Sequence, residues 1–153
     1  MTLRTYLVVV DDTNEAEVAL RFAARRAAKT GGAVQILTIL PKQEFVAWGG
    51  VQATIEDEAR EHAEVVIARA LDMLGEEMPD RPGITVLSGD AVSIITETIA
   101  ANSSIAALVL GAAEGGTPGP LVAHFGGPGA GALPCPVMII PGSLSREALD
   151  HLS

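Results

Sequence analysis

Tyr6 to Val10 reads Tyr-Leu-Val-Val-Val and ends abruptly at Asp11-Asp12-Thr13-Asn14. An apolar side chain at every position leaves no face for water, so such a run belongs in a strand covered on both sides, as in a parallel sheet. Parallel neighbours need a crossover, and the sequence supplies one at once. Thr13 or Asn14 caps a helix whose first turn carries Glu15 and Glu17, where carboxylates complement the helix dipole. Ala16, Ala19, Leu20, Ala23 and Ala27 share one stripe of it, while Arg21, Arg25 and Lys29 recur every four residues on another face. Gly31-Gly32 ends the helix, and Ala33 to Leu40 is the next strand.

The alternation then repeats. Pro41 to Gly50 is a loop, and a long helix runs from about Val51 to Glu77 with Ile55, Ala59, Ala63, Val66, Ala70 and Met73 on its apolar stripe. Pro79 to Gly83 breaks that helix, and Ile84 to Leu87 is a third strand. Asp90 caps a helix from Ala91 to about Ala101 with Val92, Ile95 and Ile99 turned inward. Ala106 to Leu110 and Val137 to Ile140 are the fourth and fifth strands, separated by a Gly/Pro-rich stretch with at most a weak helix. Ser143 to Ser153 adds a last helical turn. With right-handed crossovers this order predicts an α/β fold, a doubly wound five-stranded parallel sheet with helices on both faces. No linker or internal repeat interrupts the 153 residues, so one domain is expected over 1–153.

Composition removes several function classes. Hydrophobic residues at 48% and charged residues at 19% lie outside the disordered regime. A net charge of -9 with no basic block repels a phosphate backbone, so no nucleic acid partner is expected. The longest apolar run, Ile105 to Ala113, is far below the roughly 20 residues that span a bilayer. A single cysteine allows no internal disulfide, and no signal-peptide pattern precedes the first strand. The expectation is a cytoplasmic protein without membrane contact.

Open α/β sheets bind ligands outside the carboxyl ends of their strands, where the strand order reverses. With strand 1 central between strands 2 and 4, that crevice lies between Asp11-Asp12 and the run Gly111 to Gly131. The run holds eight of the chain's 16 glycines. Glycine lets backbone N–H groups converge on an anion, but it also makes tight-turning loops. Glu114 brings negative charge into this one, and no Lys or Arg occurs between Arg81 and Arg146. As a phosphate site it is weak.

Five segments, in order, resemble the universal stress protein family of the UspA type. They are the opening strand, acidic turn and helix (YLVVVDDTNEAEVALRFAARRAA), the second strand (VQILTIL), and the stretch VLSGDAVSIITETIAANSSIAALVLG with its Gly-Asp turn and strand ending in glycine. LPCPVMIIPG then resembles the closing Pro-Cys-Pro and final strand. The resemblance implies a Rossmann-like fold of the adenine nucleotide alpha hydrolase type and a stress-response role, regulatory or protective. It also implies an adenine-side pocket at Asp11 and Ile39, although Asp11 equally suits a plain helix-entry turn. Members that bind ATP carry Gly-x2-Gly-x9-Gly-Ser/Thr after strand 4. Here Gly111 is followed by Glu114, His124 and Phe125 in those slots, and the frame Gly116, Gly119, Gly129 ends on Ala130, without a hydroxyl. Gly111, Gly126 and Gly127 remain as the glycines to hold a phosphate. The expected protein acts by binding and dimerisation, not as an enzyme, with a degenerate nucleotide loop. ATP or AMP, with Mg²⁺, are its candidate ligands, and an ATP-binding switch with slow or no hydrolysis is the alternative.

The remaining residues add no catalysis. Asp11-Asp12 also resembles the acidic pair of response-regulator receivers, but Gly111-Ala112 lacks their hydroxyl and Ile140-Pro141 their lysine. Cys135, between two prolines in neutral-to-acidic surroundings, reads as a structural thiol. His62, His124 and His151 share no metal-ligand spacing. Phe45 and Trp48, two of five aromatics, share one loop and suit a lid, a partner contact or a plug on the core. The last strand, Val137 to Ile140, is an apolar sheet edge, and family members dimerise through it, so a homodimer is expected.

Overall fold

The computed structural model describes residues 4–41, 49–75, 78 and 80–153. Its elements run β1 (Thr5–Val9), α1 (Asn14–Thr30), β2 (Ala33–Leu40), α2 (Gly49–Leu74), β3 (Gly83–Ser88), α3 (Ala91–Ala101), β4 (Ile105–Ala112), α4 (Pro120–Phe125), β5 (Val137–Pro141) and α5 (Arg146–Leu152). All the strand pairings are parallel, in the order β3-β2-β1-β4-β5. The α/β expectation holds, with β1 central as the sequence argument required.

Handedness sorts the helices. Crossovers to β2 and β3 move one way across the sheet and those to β4 and β5 the other, so right-handed connections put α1 and α2 on one face and α3 and α4 on the opposite face. The core divides accordingly. Tyr6, Val8, Ile36 and Val109 pack with Ala19, Leu20 and Ala23 of α1, Val66, Ala70 and Leu74 of α2, and Leu149 of α5. Leu7, Leu37, Leu108 and Leu110 pack with Ile94, Ile95 and Ile99 of α3 and Val122 and Phe125 of α4. Leu7, Val8, Ile36, Leu37, Leu108 and Val109 are fully buried, each removal from water contributing roughly 1.5–3 kcal/mol. The buried hydroxyl of Thr38 donates to the Val10 carbonyl at 3.0 Å, where the β1 ladder ends.

Local chemistry sets the helix ends. Thr13 accepts from the Ala16 N–H at 3.3 Å to start α1, and Gly31 closes it at φ 68°, a left-handed conformation suited to glycine. Asp90 starts α3, accepting from the Ser93 N–H at 3.0 Å, and Ser145 starts α5 in the same way.

One expectation needs correction. Ile55 is 39% exposed, off the buried stripe, whose burial begins at Ala63 and continues through Val66, Ala70 and Leu74. At 1.5 Å per residue α2 is about 39 Å long, whereas the eight residues of β2 span about 26 Å, so the helix outruns the strand it covers. The weak helix after strand 4 is real but short, six residues followed by a 3-10 turn at Ala130–Ala132, because Gly126 to Gly131 cannot continue it. Among the described residues no helix is long and apolar enough to cross a membrane.

Candidate binding cleft

The strand order reverses between β1 and β4, and a cleft of about 290 Å³ opens there beyond their carboxyl ends. Its apolar wall is Val9, Leu110, Leu121 and Val122, with Pro118 and Pro120 from the loop before α4. The polar contribution comes from Asp11, Thr13 and Glu15, and no Lys or Arg is among the described lining residues. The volume sits at the low end for small-molecule sites.

Each residue is there for a local reason. Asp11 follows β1 directly, and its Oδ1 accepts from the backbone N–H and the hydroxyl of Thr13, which fixes the turn into α1. Its other oxygen has no partner among the described residues. Glu15 lies in the first turn of α1, half-buried where that helix closes on Gly111 of β4. Leu121 and Val122 belong to α4, which Val122 and Phe125 anchor into the core. The first turn of α4 offers little to an anion: Gly119 caps it without a side-chain bond, and Pro120 has no N–H.

Of the residues that the sequence singles out, Asp11 and Gly111 come together in the cleft. Ile39 does not line it: it stands one strand over, paired with Leu87 and packed on the same face as Val9. Gly126 and Gly127 do not reach it either. They close α4 at its far end, where their N–H groups donate to the carbonyls of Val122 at 2.8 Å and His124 at 3.2 Å. Phe45 and Trp48 lie outside the described residues. Glu15, Leu121 and Val122 were not foreseen as lining residues. Glu15 carried only a dipole signal, whereas the apolar spacing of Leu121, Val122 and Phe125 inside the glycine run was a usable hint of helix.

Elsewhere the chemistry is quiet. Burial pushes the Cys135 thiol up from its ordinary value, partly offset by a hydrogen bond from the Leu108 backbone, the reverse of an activated nucleophile. Asp12 pairs with His62 at 3.3 Å on the exposed rim between α1 and α2. Among the described residues no cluster of three metal-binding side chains forms. The positive face of α1 is committed to the last helix: Arg25 pairs with Asp150, Lys29 donates to the Asp150 carbonyl at 2.8 Å, and Arg26 to the Ser153 carbonyl at 3.2 Å.

A twisted parallel sheet wound in both directions from a central first strand, with its cleft at the switch point, defines an open, doubly wound α/β protein. Within that class the chain belongs to the universal stress protein family, whose pattern it matches over residues 2–141. It is similar to UspA from Lactobacillus plantarum, with a TM-score of 0.75 at 17% identity, over 92% of this chain and 99% of that one. The universal stress protein of Archaeoglobus fulgidus in complex with dAMP gives 0.65 at 20% identity, over 92% and 99% of the two chains. A family protein from Arabidopsis thaliana with AMP bound gives 0.61 at 15% identity, over 90% and 91%. At such identities the likeness is one of fold. No curated protein matches the chain. Helix α5 lies beyond the family match.

Proposed function

We propose that this universal stress protein acts in the stress response by binding, not turnover, and that its cleft holds the adenosine half of a ligand without gripping a triphosphate. The observation that carries this reading is the lining itself. An apolar slot beside the Asp11 carboxylate suits a base and a hydroxylated sugar, while two carboxylates and no described cation oppose a chain of phosphates. The relatives solved with dAMP, cAMP and AMP support the adenosine part. Asp11 accepts a hydrogen bond from the sugar or base in this reading, and Val9, Leu110, Leu121 and Val122 pack on the base, with Ile39 one strand beyond them on β2. In this reading Gly111 within β4 serves close packing against α1, and Gly126 and Gly127 serve the closure of α4, rather than a phosphate cradle. The protein is a cytoplasmic homodimer joined through the β5 edge, whose Ile139 is 40% exposed.

Calorimetric titration with ATP, ADP and AMP, with and without Mg²⁺, tests the ligand. AMP is expected to bind at least as tightly as ATP, with no help from Mg²⁺, and Asp11→Ala to weaken both about tenfold. ATP binding ten times tighter than AMP and dependent on Mg²⁺ would instead establish an ATP switch. Absence of binding by every nucleotide would leave only a scaffold. Sedimentation equilibrium tests the dimer, which a concentration-independent monomer would refute.

A further inference from the structure

The sheet has a second open edge. β3 stands at the end of the strand order opposite β5, and among the described residues no strand pairs with its outer side. Natural sheets defend such an edge with a charge, a proline or a bulge. Gly83-Ile84-Thr85-Val86-Leu87-Ser88 carries neither charge nor proline, and its register with β2 runs unbroken from Gln35↔Gly83 to Leu40↔Ser88. Val86 pairs with Thr38 and so faces the side of the sheet that α2 covers, as Ile36 does; Leu87 pairs with Ile39 and faces the opposite side. They are 37% and 40% exposed, so the row of backbone groups along this edge is flanked by apolar surface above and below. Charge beside it is unbalanced. Glu56, Arg60 and Glu64 recur every four residues along α2, and Glu56 and Arg60 meet Ser88 and Asp90 around a hollow of about 450 Å³ at the carboxyl end of β3. Three carboxylates on this flank face one guanidinium, whereas Asp80 and Arg81 balance at the other end.

We propose that the β3 edge is a strand-addition site for an extended cationic segment of another protein, matching the six residues of β3 in length. Main-chain hydrogen bonds to β3 hold it, and its alternate side chains divide between the two faces of the sheet. Lys or Arg residues on the α2 side lay their stems over Val86 and turn their charged heads toward Glu56 and Glu64, while β-branched residues on the other side cover Leu87. Charge decides the occupant against a second copy. Each end of the edge is acidic or balanced, in a chain of net charge -9, so a copy of this chain brings no positive surplus to meet it.

The probe is a blocked peptide, Lys-Val-Lys-Val-Lys-Val-Lys, titrated into the full chain at low ionic strength beside its counterpart Glu-Val-Glu-Val-Glu-Val-Glu, with amide hydrogen exchange read by NMR. The lysine peptide is expected to bind and to slow exchange at the outward-facing amides of β3 about tenfold, and the glutamate peptide to do neither. Glu56→Gln together with Glu64→Gln weakens the lysine peptide about fivefold, and Arg60→Gln tightens it; these positions are exposed, and thermal melts establish that the variants fold. Absence of binding by the lysine peptide, or binding without slowed exchange in β3, overturns the proposal. Equal binding by the glutamate peptide, or an affinity that the substitutions leave unchanged, overturns it as well. So does slow exchange of those outward amides in the protein alone: protection that falls on dilution assigns the edge to a second copy, and protection that persists assigns it to the chain's own residues.

Discussion

Gly111→Ala separates what the last residues of β4 do for the fold from what they do for a ligand. A β-carbon at position 111 would fall 2.1 Å from the Glu15 carbonyl oxygen and 2.5 Å from its carbonyl carbon. Unstrained contacts of this kind lie near 3.5 Å or beyond. The atoms in the way are helix backbone, held by the Thr13 cap, so no side chain can swing aside and α1 must lift from β4. That interface contains the fully buried Ala19 and Val109, and such overpacking costs 1–3 kcal/mol, here about 3 kcal/mol because backbone meets backbone. For a chain of this length, 1 kcal/mol shifts Tm by about 2–4 °C, so the variant is expected to melt roughly 6–12 °C lower without any ligand present. Gly116→Ala is the matched control: nothing stands within 4 Å of the added carbon, and the change is expected to stay within about 0.5 kcal/mol. Melts followed by far-ultraviolet circular dichroism read both variants. A Gly111→Ala protein melting within about 2 °C of the parent would refute the packing argument and return this glycine to a purely ligand-facing role.

Other expectations concern the two faces of the core and the lone thiol. Leu149→Ala removes the one fully buried side chain of α5 and is expected to cost at least 2 kcal/mol, measured by urea unfolding. Asp150→Ala, which breaks the pair between Arg25 and an aspartate that is 66% exposed, is expected to cost less than about 1 kcal/mol in the same assay. Thr38→Val deletes a buried hydrogen bond to the Val10 carbonyl and is expected to cost about 1 kcal/mol at constant m-value. Cys135, its thiol raised by burial, is expected to react with iodoacetamide several-fold more slowly than glutathione at pH 8. Because the folded state holds that proton above the ordinary value of 9.0, its stabilising contribution is present below pH 9 and lost as pH rises through the folded value. A fast reaction at pH 8 would contradict the burial.

Local signals carried the fold. The boundaries of α3 were legible to the residue at its start because Asp90 is both a turn residue and a side-chain cap. In β1 and β4 the unbroken apolar runs announced burial on both faces, and the structure leaves Leu7, Val8, Leu108 and Val109 without exposure. Ile55 failed for a reason no periodicity holds: a helical stripe says which residues share a face, not whether a strand lies beneath that face. Helix α4 was nearly invisible because its six residues carry only Val122 and Phe125 as buried anchors, set among glycines and prolines that argue for loop.

The site was harder to read than the fold because its residues depend on contacts across the sheet. Asp11 could be placed from its own strand, since an aspartate at the carboxyl end of the central first strand borders the point where the strand order reverses. Glu15 could not. Its side of α1 is decided by the closure of that helix on Gly111, 96 positions later, an encounter that only the β1–β4 pairing creates. Gly126 and Gly127 illustrate the converse. Glycine content alone made them candidates for an anion, yet a six-residue helix stands between them and the cleft and takes their N–H groups for its own last carbonyls. Unbroken apolar strand runs hold this fold together at an identity of 17% to UspA of Lactobacillus plantarum, while the charge at the mouth of the cleft is set by Asp11 and Glu15.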